Sequence, residues 1–150
     1  MDIGNAIEQL KDSGNRLTVQ RQLILENLFL RLSHPTVEEL YHAIASVNPS
    51  YVSMPTVYNN VRILKETGLI KECYIRHIGI TRYDINTTPH HHLVCRACGN
   101  ISDHDFGSVI PVQASLEKRF RAENYYLEVY GVCHECETIH SNETIEAIVS

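Results

Sequence analysis

Two closely spaced pairs of cysteines are the clearest chemical feature of this sequence. The pairs are Cys95–Cys98 and Cys133–Cys136, each a Cys-x-x-Cys motif, and 34 residues lie between them. Each pair lets two thiolates converge on one ion from a tight turn, and two pairs complete a tetrahedral shell of four sulfurs. A closed, soft shell of this kind is typical of structural zinc, so we predict one structural Zn2+ per chain.

The alternatives to a zinc site are a redox-active dithiol and unrelated buried cysteines. A redox motif needs only one pair of thiols, whereas this chain has two. The fifth cysteine, Cys73, falls in a predicted strand in the other half of the chain, where a small core residue is expected. Zinc is therefore the prediction that accounts for four cysteines together.

Three consecutive histidines, His90 to His92, lie just before the first cysteine pair. In an extended strand His90 and His92 lie on one face and His91 on the other. Asp84 and Asp103 could complete a nitrogen and oxygen shell of the kind that binds Fe(II), Mn(II) or Zn(II). A histidine triplet alone is more simply a solvated linker, but its position next to the cysteine site favours a metal site.

The charge of the chain is divided unevenly along its 150 residues. Residues 1–83 contain 9 Lys and Arg and 8 Asp and Glu, whereas residues 84–150 contain 4 and 10, which add to the net charge of −5. This asymmetry predicts two domains with different roles. No apolar run approaches the roughly 18 residues of a membrane span, and no signal peptide is recognisable, so we expect a cytoplasmic protein whose thiols stay reduced.

Apolar periodicity and capping residues predict four helices in the first half of the chain. The first helix ends at Gly14, and the next three are predicted to begin after the capping residues Thr18, Thr36 and Ser53. Gly68 is predicted to end the fourth helix. The periodicity then changes to that of strands, with a hairpin over residues 69–83. Helices followed by a hairpin indicate a winged helix-turn-helix domain over residues 1–83.

Residues 84–91 are polar and include a proline, which predicts a linker that contributes metal ligands. We expect a small α/β domain to follow at 92–150. The predicted elements of this domain are a strand ending at Cys95, a strand over 101–104, a helix carrying Val109, Val112, Leu116 and Phe120, a strand over 125–132 and a weak terminal helix over 137–150. The expected fold class is therefore α+β.

Polar residues cluster near the start of the fourth predicted helix, where a helix can enter the major groove of DNA. Asn and Arg side chains can read base edges, while Thr and Tyr hydroxyls can position phosphates. An ordinary polar helix face is the alternative, but the winged setting and further basic residues at Arg16, Lys65, Lys71 and Arg76 favour DNA. The predicted DNA contacts are Arg21, Thr56, Tyr58, Asn59, Asn60 and Arg62.

Seven short motifs follow one another along the chain. They are Thr18-Val-Gln-Arg21, His34-Pro-Thr, Thr56-Val-Tyr-Asn-Asn60, Gly68-Leu, Arg82-Tyr-Asp84, His90-x-His92-Leu-Val-Cys95-x-x-Cys98-Gly and Tyr130-Gly-x-Cys-x-x-Cys136. In the order and spacing of these motifs, the chain resembles the ferric uptake regulator family over nearly its whole length. The resemblance implies a homodimeric, metal-activated repressor of transcription whose second domain also mediates dimerisation. It implies no enzyme activity.

The resemblance also implies a regulatory site for Fe2+ or Mn2+. Its ligands carry over onto His34, Asp84, His90, His92 and Asp103. From its residue type alone, His34 is an ordinary loop histidine. Aspartate at Asp103, where iron-uptake repressors usually have glutamate, resembles the peroxide-sensing branch, in which bound Fe(II) reacts with H2O2 and oxidises a ligand. His34 and His90 are the candidates for oxidation, and Mn(II) would support repression without sensing.

A metal site that joins the two domains would set the geometry of the dimer on DNA. The two recognition helices of a helix-turn-helix dimer must lie about 34 Å apart, or a multiple of it, to bind a pseudo-palindromic operator.

A second interpretation with the same residues is an iron- or zinc-responsive uptake repressor that does not sense peroxide. A zinc hydrolase is disfavoured, because the chain has no recognisable motif that places a glutamate as general base. A four-sulfur electron-transfer module is also disfavoured, because it leaves the winged helix unexplained.

Overall fold

The computed structural model describes residues 2–47, 49–75, 79–105 and 126–138. The chain divides into two compact units, Met1–Thr88 and Pro89–Ser150. Helices and small sheets coexist, so the fold class is α+β as predicted. Within the described residues, no helix has both the length and the apolar character needed to cross a membrane.

Side-chain caps start each of the four helices of the first unit. These helices are α1 (Ile3–Asp12), α2 (Val19–Leu30), α3 (Val37–Ala45) and α4 (Met54–Glu66). Thr18, Thr36 and Ser53 each accept a hydrogen bond from an amide of the first turn that they precede. Gly14 and Gly68 have φ of 79° and 72°, a left-handed conformation that glycine adopts without steric cost. The predicted caps and stops are confirmed.

The core of the first unit is formed where the four helices and the start of the hairpin meet. Its buried apolar residues are Ala6, Leu10, Ile24, Leu25, Leu28, Val37, Leu40, Ile44, Val52, Val57, Val61, Leu64, Leu69 and Ile70. Leu69 and Ile70 were expected in the first strand, but they precede it and complete this core instead. Burial of this apolar surface is the main force that holds α4 against α2 and α3.

A β-hairpin follows the helices and gives the first unit its winged-helix pattern. Strands β1 (Lys71–Ile75) and β2 (Ile80–Asp84) pair antiparallel, with Lys71 opposite Asp84 and Cys73 opposite Arg82. Cys73 is buried, as expected for a core residue. Gly79 lies before β2 with φ of 64°, whereas the other predicted turn residues, His77 and Ile78, lie outside the described residues.

Among the described residues of the second unit, the main element is a three-stranded sheet. Its strands are β3 (His91–Cys95), β4 (Ile101–His104) and β5 (Glu128–Gly131), in the order β4-β3-β5. The central strand β3 is antiparallel to β4 and parallel to β5. A short helical segment covers residues 134–138. The predicted helix at Val109, Val112, Leu116 and Phe120 lies outside the described residues, as does most of the predicted terminal helix.

The ends of the predicted linker belong to strands. Asp84 is the last residue of β2, and His91 is the first residue of β3. Their backbones are therefore fixed by sheet hydrogen bonds, which a solvated linker would not provide. The consequence is that candidate metal ligands on these strands have defined directions.

Thr36 tests the importance of helix capping in this fold. Its Oγ1 accepts the Glu39 amide at 3.1 Å, and the Glu39 carboxylate accepts the Thr36 amide at 2.9 Å. Because Thr36→Ala removes one of these reciprocal bonds, the free energy of unfolding should fall by about 1 kcal/mol in urea denaturation. The exposed Thr87 provides the control, and Thr87→Ala should change the free energy of unfolding little. Equal decreases in the free energy of unfolding of both variants would contradict the capping role.

Candidate functional site

The four cysteines of the two Cys-x-x-Cys motifs converge in the second unit. Their sulfur atoms all lie within 4.8 Å of one another. The Sγ atoms of Cys98 and Cys133 are 3.8 Å apart, which matches the edge of about 3.8 Å expected for a tetrahedron with Zn–S bonds of about 2.3 Å. The geometry fits the predicted four-sulfur zinc site.

Pairing within the sheet brings the two motifs together. Cys95 is the last residue of β3 and pairs with Gly131, the last residue of the parallel strand β5. The Arg96 amide donates to the Gly131 carbonyl at 2.8 Å, which extends this pairing into the first motif. Because parallel strands end at the same edge of a sheet, both motifs leave it side by side.

The electrostatics of the four thiols favour a bound cation. Amides of Cys98 and Cys133 donate to Cys95 Sγ and lower the pKa of Cys95 to about 6. Hydrogen bonding with Cys133, and then with Cys98, raises the pKa of Cys136 to about 12. Four sulfurs at these separations cannot all ionise without strong mutual repulsion, and a divalent cation removes this penalty. The donor set therefore fits a soft metal with four closed coordination positions.

A second group of ligand atoms converges at the other end of β3. His90 Nε2 and His92 Nε2 are 2.9 Å apart, and Asp103 Oδ1 lies 3.2 Å and 3.5 Å from them. Ligands about 2.1 Å from a common ion are themselves separated by about 3.0–3.5 Å. The antiparallel pairing of His92 with Asp103 places the carboxylate there. Three predicted ligands of the regulatory metal, His90, His92 and Asp103, are thus brought together at one end of this sheet.

The alternation of the histidine triplet agrees with the prediction from strand geometry. His90 and His92 share one group of ligand atoms, whereas His91 Nδ1 accepts a hydrogen bond from the Leu127 amide at 3.3 Å. His92 is fully buried, and its Nδ1 lies 2.7 Å from the Tyr126 hydroxyl. This contact fixes the orientation of the His92 ring and leaves Nε2 directed at the ligand group. Tyr126 is not among the residues predicted from the sequence, since no local pattern connects positions 92 and 126.

His34 and Asp84 form a pair in the first unit. His34 Nε2 is 3.7 Å from Asp84 Oδ2, and both side chains are almost fully buried. The Asn86 amide donates to the other Asp84 oxygen at 2.7 Å, and Lys71 Nζ lies 3.6 Å from Oδ2. A buried carboxylate requires such partners or a metal ion. Lys71 is one of the basic residues that favoured DNA, but its ammonium donates to the Thr88 carbonyl at 3.0 Å and lies beside Asp84.

The backbone of His34 adopts an unusual conformation. Its φ is 46°, a left-handed value that is uncommon for a residue other than glycine. Strain of this kind costs about 1–3 kcal/mol and persists only where the surrounding structure enforces it. His34 Nδ1 lies 2.9 Å from Ser33 Oγ, so that Nε2 is the nitrogen directed at Asp84. The structure thus gives a buried, oriented imidazole where the sequence alone showed an ordinary loop histidine.

The exposed face of α4 carries three of the predicted DNA contacts. Tyr58, Asn59 and Arg62 are exposed. Arg62 donates to Asn59 at 2.9 Å and to Glu66 at 2.8 Å. The Tyr58 hydroxyl donates to Glu38 at 2.8 Å, and this bond lowers the pKa of Glu38. These contacts hold the side chains in defined orientations on the helix surface.

An open cleft of about 390 Å³ lies between this face of α4 and the hairpin. It is lined by Pro55, Tyr58, Asn59, Arg62, Lys65, Glu72 and Tyr83. Lys65 on α4 and Glu72 on β1 form an ion pair at 2.7 Å. Side chains of α4 and of the hairpin therefore line one shared surface.

Asn60 occupies a different position from its neighbours on α4. It is buried, its Nδ2 donates to the Thr56 carbonyl at 2.8 Å, and its Oδ1 accepts from Arg21 Nε at 2.8 Å. Asn60 thus connects α4 to Arg21 on α2. Of the predicted DNA contacts, Arg21 and Thr56 are partly buried, and Thr56 Oγ1 lies 2.8 Å from the capping hydroxyl of Ser53.

Comparisons with known proteins agree with these features. The model of the Ferric uptake regulator family matches residues 12–130. The chain is 38% identical over 137 residues to the peroxide operon regulator of Bacillus subtilis (strain 168), which covers 90% of this chain and 93% of that protein.

Solved structures show the same likeness. A zinc-bound manganese uptake regulator has a TM-score of 0.69 at 28% identity, and the match covers 85% of this chain and 98% of that one. A structure of PerR from Streptococcus pyogenes, described as the structural basis for peroxide sensing and gene regulation, has a TM-score of 0.52 at 27% identity. That match covers 91% of this chain and 94% of the other.

Replacement of a single cysteine tests the four-sulfur site. Cys98→Ser or Cys136→Ser should abolish zinc binding, measured as metal per chain, and unfold the second unit, because structural zinc contributes roughly 10 kcal/mol to folding. Cys73→Ser is the matched control, since Cys73 is buried in the first unit, and it should retain zinc. One zinc per chain in the Cys98 or Cys136 variant would refute the site.

Proposed function

The chain belongs to the ferric uptake regulator family, and from this premise we propose that it is a homodimeric, metal-dependent repressor that binds pseudo-palindromic operator DNA and senses peroxide. The observation that carries this proposal is the convergence of His90, His92 and Asp103 on one point through the pairing of β3 with β4. Nitrogen and oxygen ligands of this kind suit Fe(II) and Mn(II). The similarity to a peroxide operon regulator supports the choice of signal.

Two metals have separate roles in this proposal. Cys95, Cys98, Cys133 and Cys136 hold a structural zinc, whose closed shell leaves no position for a reactant. On the family resemblance, His34 and Asp84 join His90, His92 and Asp103 on one regulatory Fe2+ or Mn2+. Each of these five residues would contribute one nitrogen or oxygen atom to the ion.

Occupancy of the regulatory metal site would control whether the dimer binds DNA. A metal held by residues of both units would fix one arrangement of the winged helices, and a dimer can bind an operator only when its two recognition helices are about 34 Å apart or a multiple of it. Metal binding must therefore favour that arrangement. By linkage, operator DNA must raise the affinity for the metal by the same factor.

Oxidation of a ligand histidine ends repression. Bound ferrous iron supplies the redox chemistry that activates peroxide. In the net reaction, one oxygen of H2O2 is added to a ring carbon of His34 or His90, the electrons come from the imidazole, and the other oxygen leaves as water. The oxidised ring binds metal poorly, so the dimer loses the arrangement that fits DNA. With Mn2+ in place of Fe2+, the same ligands support repression without this reaction.

The exposed face of α4 is the proposed reading surface for DNA. Arg62, Asn59 and Tyr58 are exposed and already oriented by hydrogen bonds, so that little side-chain entropy is lost when they meet DNA. Thr56 near the helix start is suited to a phosphate contact. Asn60 acts indirectly, because it is buried and its amide holds the side chain of Arg21.

A repressor that reads metal concentration alone is the second candidate. The structural similarity to a zinc-bound manganese uptake regulator, with a TM-score of 0.69, favours it. Both candidates use the same metal ligands and the same DNA surface. They differ in whether the iron-loaded protein is oxidised by low concentrations of peroxide.

Arg62 tests the DNA surface. Arg62→Ala should weaken operator binding and, if Arg62 reads a base, reduce discrimination against mutated operators by about 1–3 kcal/mol, measured by fluorescence anisotropy. The matched control is Arg31→Ala, which removes the same charge from an exposed position after α2. Both variants should bind zinc and manganese normally. Equal affinity and specificity for Arg62→Ala and wild type would place the reading surface elsewhere.

Asp103 tests peroxide sensing. The wild-type protein loaded with Fe(II) should lose operator affinity after exposure to low H2O2, and mass spectrometry should find one added oxygen atom on a peptide containing His34 or His90. Asp103→Glu should retain metal-dependent DNA binding but be oxidised more slowly, because a longer carboxylate reaches the ion differently.

The manganese-loaded protein is the control for this experiment, and it should keep both its mass and its DNA affinity. If the iron-loaded wild type gains no oxygen and still binds the operator, peroxide sensing is refuted. The repressor that reads metal concentration then takes its place.

A further inference from the structure

The strained backbone of His34 is enclosed by hydrogen bonds from several elements of the first unit. Among the described residues, His34 is the one non-glycine residue with a positive φ, and it is followed by Pro35. A residue before proline ordinarily adopts an extended conformation. Something in the surrounding structure must therefore stabilise the left-handed conformation of His34.

Arg82 on β2 makes direct contact with the backbone of His34. Its Nη1 donates to the His34 carbonyl at 2.8 Å and to Glu39 Oε2 at 2.9 Å. Its Nη2 donates to Glu39 Oε1 at 3.2 Å. The guanidinium thus binds the Glu39 carboxylate through two nitrogens, which fixes its plane while it holds the carbonyl.

Neighbouring contacts hold the next two residues of the same segment. The Pro35 carbonyl accepts the Tyr83 amide at 2.9 Å. The Thr36 amide donates to Glu39 Oε2 at 2.9 Å, so this carboxylate oxygen serves both Thr36 and Arg82. Three successive backbone groups, at positions 34 to 36, are therefore bound by β2 and by the first turn of α3. Glu39 connects the two elements.

The direction of β2 relates Arg82 to the metal ligands. Residues two apart on a strand face the same side, so Arg82 and Asp84 both face the segment that contains His34. Asp84 lies 3.7 Å from the His34 imidazole, while Arg82 binds the His34 carbonyl. One strand thus supplies both a predicted ligand and the group that fixes the backbone of its partner ligand.

We propose that Arg82 is a positioning residue for the regulatory metal, which holds His34 in its strained conformation so that Nε2 faces Asp84 before the metal binds. This inference rests on the proposed regulatory site. Arg82 itself does not touch the metal. Because Arg82 already holds His34 in place, the free energy of metal binding includes no cost for ordering His34. An arginine that only stabilises the fold would affect metal affinity no more than other residues of equal stabilising effect.

The test compares Arg82→Ala and Arg82→Lys with wild type, all loaded with structural zinc. Mn(II) affinity, measured by electron paramagnetic resonance of free Mn(II), should fall by about 10- to 100-fold in Arg82→Ala. Arg82→Lys should recover part of this loss, because lysine can donate to the His34 carbonyl but cannot bind Glu39 through a planar pair of nitrogens. Zinc content should be unchanged in both variants.

A second measurement needs no regulatory metal. In protein that contains only structural zinc, the imidazole signals of His34 in NMR spectra should shift or split in Arg82→Ala, while those of the exposed His42 on α3 stay in place. Unchanged His34 signals together with unchanged Mn(II) affinity would overturn the positioning role.

Ile44→Val is the matched control for stability. Ile44 is buried in the core on α3, and this change lowers stability without altering any of the hydrogen bonds around His34. It should leave Mn(II) affinity close to that of wild type. If Ile44→Val weakens Mn(II) binding as much as Arg82→Ala does, Arg82 only stabilises the fold. If wild type itself binds no Mn(II) beside zinc, it is the proposed regulatory site that fails, and the His34 signals still decide whether Arg82 positions the ring.

Discussion

The register of β3 is the constraint on which both groups of metal ligands in the second unit depend. At one end, the pairing of Cys95 with Gly131 brings the two cysteine motifs together. At the other end, the pairing of His92 with Asp103 places a carboxylate beside two imidazoles. A slip of one residue would turn every side chain of β3 to the opposite face and separate both groups at once. Zinc held by the four cysteines would therefore also stabilise the strand that carries the candidate ligand His92.

Both groups of candidate ligands have an electrostatic cost that a bound cation would remove. The thiols of the four-sulfur cluster differ widely in pKa, from about 6 for Cys95 to about 12 for Cys136. Asp84 is almost fully buried and is stabilised by the Asn86 amide and by Lys71. These hydrogen bonds reduce the cost of placing thiolates close together and of burying the Asp84 carboxylate, but they do not remove it. Metal binding is the interaction that these sites are suited to.

The first unit combines rigidity around His34 with an exposed polar surface on α4. Glu39 has a central position, because it caps α3 through Thr36 and also binds Arg82. Asn60 has a similar connecting position between α4 and Arg21. Hydrogen bonds of this kind restrain α3, α4 and β2 relative to the segments they contact, and the candidate ligands His34 and Asp84 lie within this restrained part of the first unit. This property suits a repressor controlled by metal.

The sequence alone determined the features that depend on residues close together along the chain. Helix starts at Thr18, Thr36 and Ser53, the stops at Gly14 and Gly68, and the alternation of the histidine triplet all follow from local backbone sterics and hydrogen bonding. The Cys-x-x-Cys spacing belongs to the same class, because one tight turn directs both sulfurs. The family motifs added His34 to the candidate ligands, because local reasoning could not distinguish it from an ordinary loop residue.

Only the tertiary structure decided which distant side chains meet. Tyr126 orients His92 from 34 positions away, and Arg82 binds the carbonyl of His34 from 48 positions away. The burial of Asn60 and the turn of Lys71 toward Asp84 likewise changed the roles expected from residue type. Such contacts depend on strand register and on the packing of the core, which involve the whole chain at once. The residue type and its neighbours in sequence limit which interactions a side chain can make. Which distant residue it contacts depends on the tertiary fold.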